Sequence, residues 1–182
     1  MMFHTLHRIS SITTILLSIT IAKSLATRHY EIPNNCPQTI QIYINGESQG
    51  YIDAQTAISH NYQDDFSGFI YSDANGGVVL DDGTSINTTR AAFKGTDNYY
   101  YILSDKLNTG ISIVPVSVNL AGKDDGFCVP IFCDMNSCPH STDQPITHFP
   151  QDHDHPPQSP LFECPDKNTG YVVTFCPSGV FP

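Results

Sequence analysis

Paired carboxylates, clustered histidines and cysteines are the side chains of this sequence that could do chemistry. Adjacent acids stand at Asp64-Asp65, Asp81-Asp82 and Asp124-Asp125, and a pair of carboxylates flanking a glycosidic bond is what sugar hydrolysis requires. Neighbouring side chains on an extended chain point to opposite faces, however. Set beside Gly, Phe or polar turn residues, these pairs read as solvated loop carboxylates, not as an acid/base pair or a cation site. The segment Gln151-Asp-His-Asp-His-Pro156, with His140 and His148 nearby, offers the imidazole and carboxylate ligands that suit zinc or copper. Ligand geometry must be held by surrounding groups, which a proline-rich loop supplies poorly. His153 and His155 are therefore the best metal candidates in a chain where no metal centre is expected.

Cys36, Cys128, Cys133, Cys138, Cys164 and Cys176 all follow an apolar N-terminal run. An even number of cysteines in an oxidising compartment reads as three disulfides, and the close Cys-x-x-Cys pairs of a zinc site are absent. Six cysteines allow fifteen pairings, so spacing alone leaves the connectivity open. With every thiol paired, no cysteine nucleophile remains. The sequence shows no Gly-rich phosphate loop and no nucleophile elbow, and no cofactor is expected. Tyr99, Tyr100 and Tyr101 form an aromatic run in which alternation sends one or two rings inward and leaves at least one outward. An outward ring at Tyr99 or Tyr101 could stack on a sugar face, although core and cross-strand packing is the default for such a run. Asn87-Thr-Thr89 is an acceptor sequence for N-linked glycosylation.

These residues need a compartment and a scaffold. His4, His7 and Arg8 precede the apolar run Ile9 to Ala22, which closes on Ser24-Leu25-Ala26. That pattern is a secretory signal, too short and too interrupted by Lys23 for a membrane span. Residues 1–26 are thus expected to be removed, leaving one domain over 27–182. Loss of Arg8 and Lys23 leaves six Lys and Arg against eighteen Asp and Glu, a net charge of −12 with His neutral. Such a surface repels nucleic acid and anionic membranes and admits neutral or cationic partners.

From Arg28 to about Val118 the chain reads as short strands broken by turns. His29–Ile32, Thr39–Ile44, Ser67–Tyr71, Asn98–Leu103 and Ile111–Val114 are rich in β-branched and aromatic residues. Asn45-Gly46, Asn75-Gly76-Gly77 and Asp82-Gly83 supply turns. No long stretch has a 3.6-residue apolar period with caps, which points to an antiparallel sandwich or barrel. Residues 121–138 form a cysteine-rich loop. Residues 139–160 are rich in proline, histidine and polar side chains, and a mobile loop is expected there. A last strand, Gly170 to Cys176, returns to the sheet.

The opening His29-Tyr-Glu-Ile-Pro-Asn-Asn-Cys36 resembles the first strand of thaumatin-like proteins, with its F-x-I-x-N-x-C pattern, and Tyr171-Val-Val-Thr-Phe-Cys-Pro177 resembles their terminal Y-x-V-x-F-C-P. Thr89-Arg-Ala-Ala-Phe93 is similar to the L-A-E-F strand of that family, and Ile113-Val-Pro-Val116 to its N-[VL]-P-M. Cys128, Cys133 and Cys138-Pro139 resemble the cysteine-rich start of its second domain. The resemblance implies an all-β antiparallel thaumatin-like sandwich with three disulfides. It would be a shortened six-cysteine form of the kind found in fungi, its loop-rich second domain much reduced. The family's connectivity implies Cys36 with Cys176 and Cys128 with Cys164, leaving Cys133 for Cys138.

Full-length relatives carry an acidic cleft linked to binding or weak hydrolysis of β-glucans. Here its Glu corresponds to Ala92, its Arg falls near Asp73, one Asp falls near Tyr101, and the second-domain Asp has no counterpart. Asp105 is the residue that could replace a missing member. The leading expectation is therefore a secreted, monomeric, non-catalytic binding protein at a cell wall or surface, with polysaccharide or an extracellular protein as partner. Tyr99, Tyr101 and Asp105 are its candidate ligand contacts. A weak glucan hydrolase with an atypical acidic site is one alternative, and a secreted effector or defence protein that binds another protein is the other.

Overall fold

Residues 26–75, 78–79, 85–105, 108–117, 126–134 and 137–181 are described in the computed structural model, with the backbone alone at 78–79 and 85–86. Residues 1–25 of the expected export signal, Gly76-Gly77, Asp81-Asp82-Gly83 and Asp124-Asp125 lie outside them. In chain order the described strands are β1 (Thr27–Asn34), β2 (Ile40–Ile44), β3 (Glu47–Ile52), β4 (Thr56–Gln63), β5 (Ser67–Ser72), β6 (Val78–Val79), β7 (Ser85–Ile86), β8 (Arg90–Lys94), β9 (Tyr99–Leu103), β10 (Ile111–Val116), β11 (Ile131–Cys133), β12 (Ser141–Thr142), β13 (Phe162–Glu163) and β14 (Gly170–Phe175). Single 3-10 turns at Asp73–Asn75 and Gly95–Asp97 are the helical structure among the described residues. None of the described helices is long and apolar enough to cross a membrane.

The protein is all-β. Five strands in the order β11-β10-β14-β1-β4 form one sheet, and β12-β9-β8-β5-β2-β3 form the other, with β13 also paired to β9. Period-two alternation sets what each strand buries. Along β1, Arg28, Tyr30, Ile32 and Asn34 are buried while Thr27, His29 and Glu31 face out; along β2, Ile40, Ile42 and Ile44 are buried. These rows meet Ile70, Ala91, Phe93, Tyr100, Ile102, Ile111, Ile113, Tyr171, Val173 and Phe175 in one apolar core. Tyr30 is an aromatic hub, with the rings of Phe93, Phe66, Tyr171 and Tyr62 at 5.1, 5.3, 5.5 and 5.7 Å. Asn45 and Gly46, both with positive φ, close the β2–β3 hairpin, as two-residue hairpin turns demand.

Two ladders depart from the expected antiparallel pattern. β1 runs parallel to β14, with Tyr30 opposite Tyr171 and Asn34 opposite Phe175, and β12 runs parallel to β9. The first brings the resembling motifs at the two ends of the domain side by side. Just beyond this pair Cys36 is bonded to Cys176, with Cα atoms 5.0 Å apart. Cys128 is bonded to Cys164 and Cys133 to Cys138, so the three pairs are those implied by the resemblance. Asn34 clasps the turn at the end of β1. Its Nδ2 donates to the carbonyls of Gln38 (3.0 Å) and Ile52 (2.9 Å), and its Oδ1 accepts from the Cys36 amide (2.9 Å).

The segment 139–160, expected as a mobile loop, lies as a strap over the outer face of the second sheet. Ile146 and Phe149 pack there with Leu161 against Tyr99, Tyr101, Leu103 and Ala92. The Tyr99 hydroxyl donates to the Pro150 carbonyl (3.0 Å), and the Ile146 amide donates to the Tyr101 hydroxyl (3.3 Å).

Candidate functional site

The strap decides what the tyrosine run can do. All of β9 is buried: Tyr100 and Ile102 point into the core, and Tyr99, Tyr101 and Leu103 point the other way, under the strap. Tyr99 stacks on Phe149 at 5.7 Å and on His153 at 5.8 Å. Burial pushes the Tyr99 phenol up to about 12, helped by the negative charge of Glu163, Asp97 and Asp152. Tyr99 and Tyr101 are therefore packing residues and do not present a face to a sugar, contrary to expectation. The outward face assigned to them exists, but the same chain covers it.

The histidines likewise go to separate partners. His153 Nδ1 lies 2.9 Å from Oε1 of Glu163, a carboxylate with no exposed side-chain surface, whereas His153 is itself 43% exposed. His155 lies 3.3 Å from Asp152 Oδ2 at the surface. The Asp152 carboxyl is held below its ordinary value by the Asp154 amide first and His155 second. Among the described residues no group of three or more His, Cys, Asp or Glu side chains is placed to hold a metal ion. Asp64 and Asp65 line a small depression of about 240 Å³ with Gly95, Thr96, Asn98 and Lys167.

Asp105 falls in a more built place. Where β9 ends, β12 lies parallel on one side and β8 begins on the other, so that three elements deliver side chains to one edge. A depression of about 420 Å³ is lined by Ser104, Thr109, Cys138, Ser141, Thr142, Asp143 and Pro160. A second, of about 250 Å³, is lined by Asn87, Thr88, Arg90, Leu103, Ser104, Asp105, Asp143 and Pro145. The two depressions adjoin at Ser104 and Asp143, which line both, and the groove is this adjoining pair. Its walls hold two carboxylates, one guanidinium, an amide and several hydroxyls.

Local hydrogen bonds fix these walls. Ser104 donates its amide to the Thr142 carbonyl (2.8 Å) and shares a hydroxyl contact with Ser141 (2.7 Å), which itself bonds the Cys138 carbonyl (3.0 Å). The Asp105 amide donates to the buried Thr89 hydroxyl (3.0 Å), which donates to the Asn108 carbonyl. The Cys133–Cys138 disulfide stands directly before β12 and ties the chain that supplies Ser141 and Asp143. Arg90 is opposite Leu103 in the β8–β9 ladder, and its guanidinium lies 5.5 Å from the Tyr71 ring and 5.6 Å from the Phe69 ring. Tyr71 in turn stacks on Tyr43 at 5.5 Å. Arg90 thus lies between these rings and the groove wall.

Sequence reasoning singled out Asp105 and Asn87 but missed Arg90, Ser104, Ser141 and Asp143. No local pattern joins these four, because they come from β8, the end of β9, β12 and the start of the strap. The Arg90 neighbourhood did carry a signal, since Arg90 opens the strand-like Thr89–Phe93 segment.

No family model matches the chain, and no curated protein matches it. Among solved structures it is similar to the protein elicitor MoHrip2 from Magnaporthe oryzae, at 13% sequence identity, covering 82% of this chain and 98% of that one, with a TM-score of 0.45. A likeness this distant says nothing about function.

Proposed function

We propose that this is a secreted, non-catalytic binding protein on a shortened thaumatin-like scaffold, and that its groove takes a neutral polysaccharide of the β-glucan class. The observation that carries the reading is the lining of the groove. Sugar hydroxyls are both donors and acceptors, and they are met by carboxylates, hydroxyls, an amide and one guanidinium on pinned backbone. The parallel pairing of the two terminal motifs and the three disulfide pairs support the scaffold. Hydrolysis calls for one carboxyl kept protonated by an apolar setting, and Asp143 is open to water. The strongly buried carboxylate, Glu163, is engaged with His153 away from the groove lining.

The test is a pull-down on insoluble β-glucan and on chitin, run beside a reducing-sugar assay. Retention on glucan without sugar release is expected. The double substitution Asp105→Ala, Asp143→Ala should weaken it about tenfold or more, equivalent to about 1.4 kcal/mol from lost charge-assisted hydrogen bonds. Sugar release abolished by either single substitution would establish the hydrolase instead. Retention on neither polymer would leave a protein partner as the reading to pursue.

A further inference from the structure

Asn87, the acceptor of the glycosylation sequence, is itself part of the groove wall, beside Arg90, Asp105 and Asp143. Its side chain is exposed. Its backbone is held at φ 60, and its carbonyl accepts a 2.6 Å hydrogen bond from Asn108 Nδ2. A group attached at Asn87 Nδ2 is therefore rooted on backbone held at the rim of the site, within reach of the groove wall. We propose that Asn87 carries an N-linked glycan whose first sugar lies along this groove, so that the protein's own saccharide covers Arg90, Asp105 and Asp143 and competes with an external one. This proposal rests on the polysaccharide-binding reading of the same groove.

The attachment is made before folding. In the folded protein the Thr89 hydroxyl is fully buried, bonded to the Asn108 carbonyl and the Asp105 amide, so the acceptor sequence is accessible to a transferase while the chain is still extended during export. Transfer forms a bond between Asn87 Nδ2 and C1 of N-acetylglucosamine and breaks the bond from C1 to the oxygen of a lipid-diphosphate-linked oligosaccharide donor. The amide proton and the lipid diphosphate are released. Folding then brings β8, β9 and β12 together beneath the attached sugar. A tethered saccharide acts at millimolar effective concentration, enough to compete with weak external sugars.

The experiment compares the full chain secreted from a glycosylating eukaryotic host with the same chain made in the oxidising bacterial periplasm, where Asn87 is unmodified. Peptide mapping is expected to show Asn87 occupied in the first. Amide exchange over 101–105 and 141–146 is expected to be slower in the occupied form, and retention on insoluble β-glucan roughly tenfold weaker. Asn87→Gly removes the acceptor while tolerating the positive φ, and from the eukaryotic host it should exchange like the bacterial protein. An unmodified Asn87 in the secreted protein overturns the proposal, as does occupancy with identical exchange, or glucan that both forms retain and retain equally. Slowed exchange with glucan held by neither form upholds the seat of the glycan and sinks the polysaccharide reading alone.

Discussion

Tyr30 and Tyr171 stand directly opposite one another on neighbouring parallel strands, their ring centroids 5.5 Å apart, although they come from the two ends of the described chain. The Cys36–Cys176 disulfide sits just past the other end of the same two strands. Ring stack and covalent bond together hold the middle of the five-stranded sheet at both ends.

Removing Cys36 and Cys176 together should therefore cost far more than removing Cys133 and Cys138. On the chain-entropy account, the 140-residue separation of the first pair corresponds to about 5 kcal/mol and the 5-residue separation of the last to about 2 kcal/mol. Urea unfolding of the two double Cys→Ala variants measures both. Equal losses would mean that the strand pair is held without its disulfide.

Asn34→Ala leaves the Gln38 and Ile52 carbonyls and the Cys36 amide without the partners they have now. A loss of about 3 kcal/mol is expected from one buried side chain, more than an ordinary surface substitution and comparable to a core truncation. Asn34→Asp should not recover it, because the carboxylate oxygen replacing Nδ2 would face the Gln38 and Ile52 carbonyls with no proton to donate, in a fully buried site. A loss below about 1 kcal/mol would show that the clasp is dispensable.

The strap should loosen without loss of the core. Tyr99→Phe removes the bond to the Pro150 carbonyl and Tyr101→Phe the bond from the Ile146 amide, each costing about 1 kcal/mol. His153→Ala withdraws a partner from the buried Glu163 and should cost more. In all three variants, amide exchange and protease cleavage should rise over 146–153 while exchange in β1 and β14 stays as it was. Uniform acceleration throughout would show that strap and sandwich unfold as one unit.

Alkaline pH should destabilise the protein as it rises from about 10 toward 12. Burial pushes the phenols of Tyr30 and Tyr99 from 10.0 up to about 12, with Arg28 opposing the rise at Tyr30. Each phenol holds its proton more tightly folded than unfolded, so its contribution is complete below pH 10 and is lost as pH climbs toward 12. Burial drives Tyr100 and Tyr171 in the same direction. Unfolding free energy measured alongside phenolate absorbance should fall through this window, less steeply in Tyr99→Phe. A flat profile there would contradict the buried, neutral state of these rings.

Strands that bury one regular face could be read from the sequence, and so could their meaning. The x-spaced residues of the opening motif, Tyr30, Ile32 and Asn34, are the inward row of β1, and Tyr171, Val173 and Phe175 are the inward row of β14. β3 and β4 went unseen because each lies at the edge of its sheet and is largely polar and exposed, Glu47–Ile52 and Thr56–Gln63 burying little. The tyrosine run alternates as expected, Tyr100 into the core and Tyr99 and Tyr101 the other way. An unbroken apolar stretch such as Tyr99–Leu103 also marks a strand covered on both faces, and here 146–161 supplies the second cover, which leaves no ring open to a sugar. The groove was legible only at Asp105 and Asn87. Its remaining walls meet through the parallel β9–β12 pairing and the start of the strap, and no short-range pattern encodes that meeting.

The place of β14 between β10 and β1 bears on how the molecule is born. As the chain emerges, β1 and β4 can pair early and β10 with β11 later, but these halves stay apart until the segment around Tyr171 has been made and slots between them. A stop codon just before Gly170 would thus remove the centre of a sheet and leave two separate ribbons with a hydrophobic cleft between them.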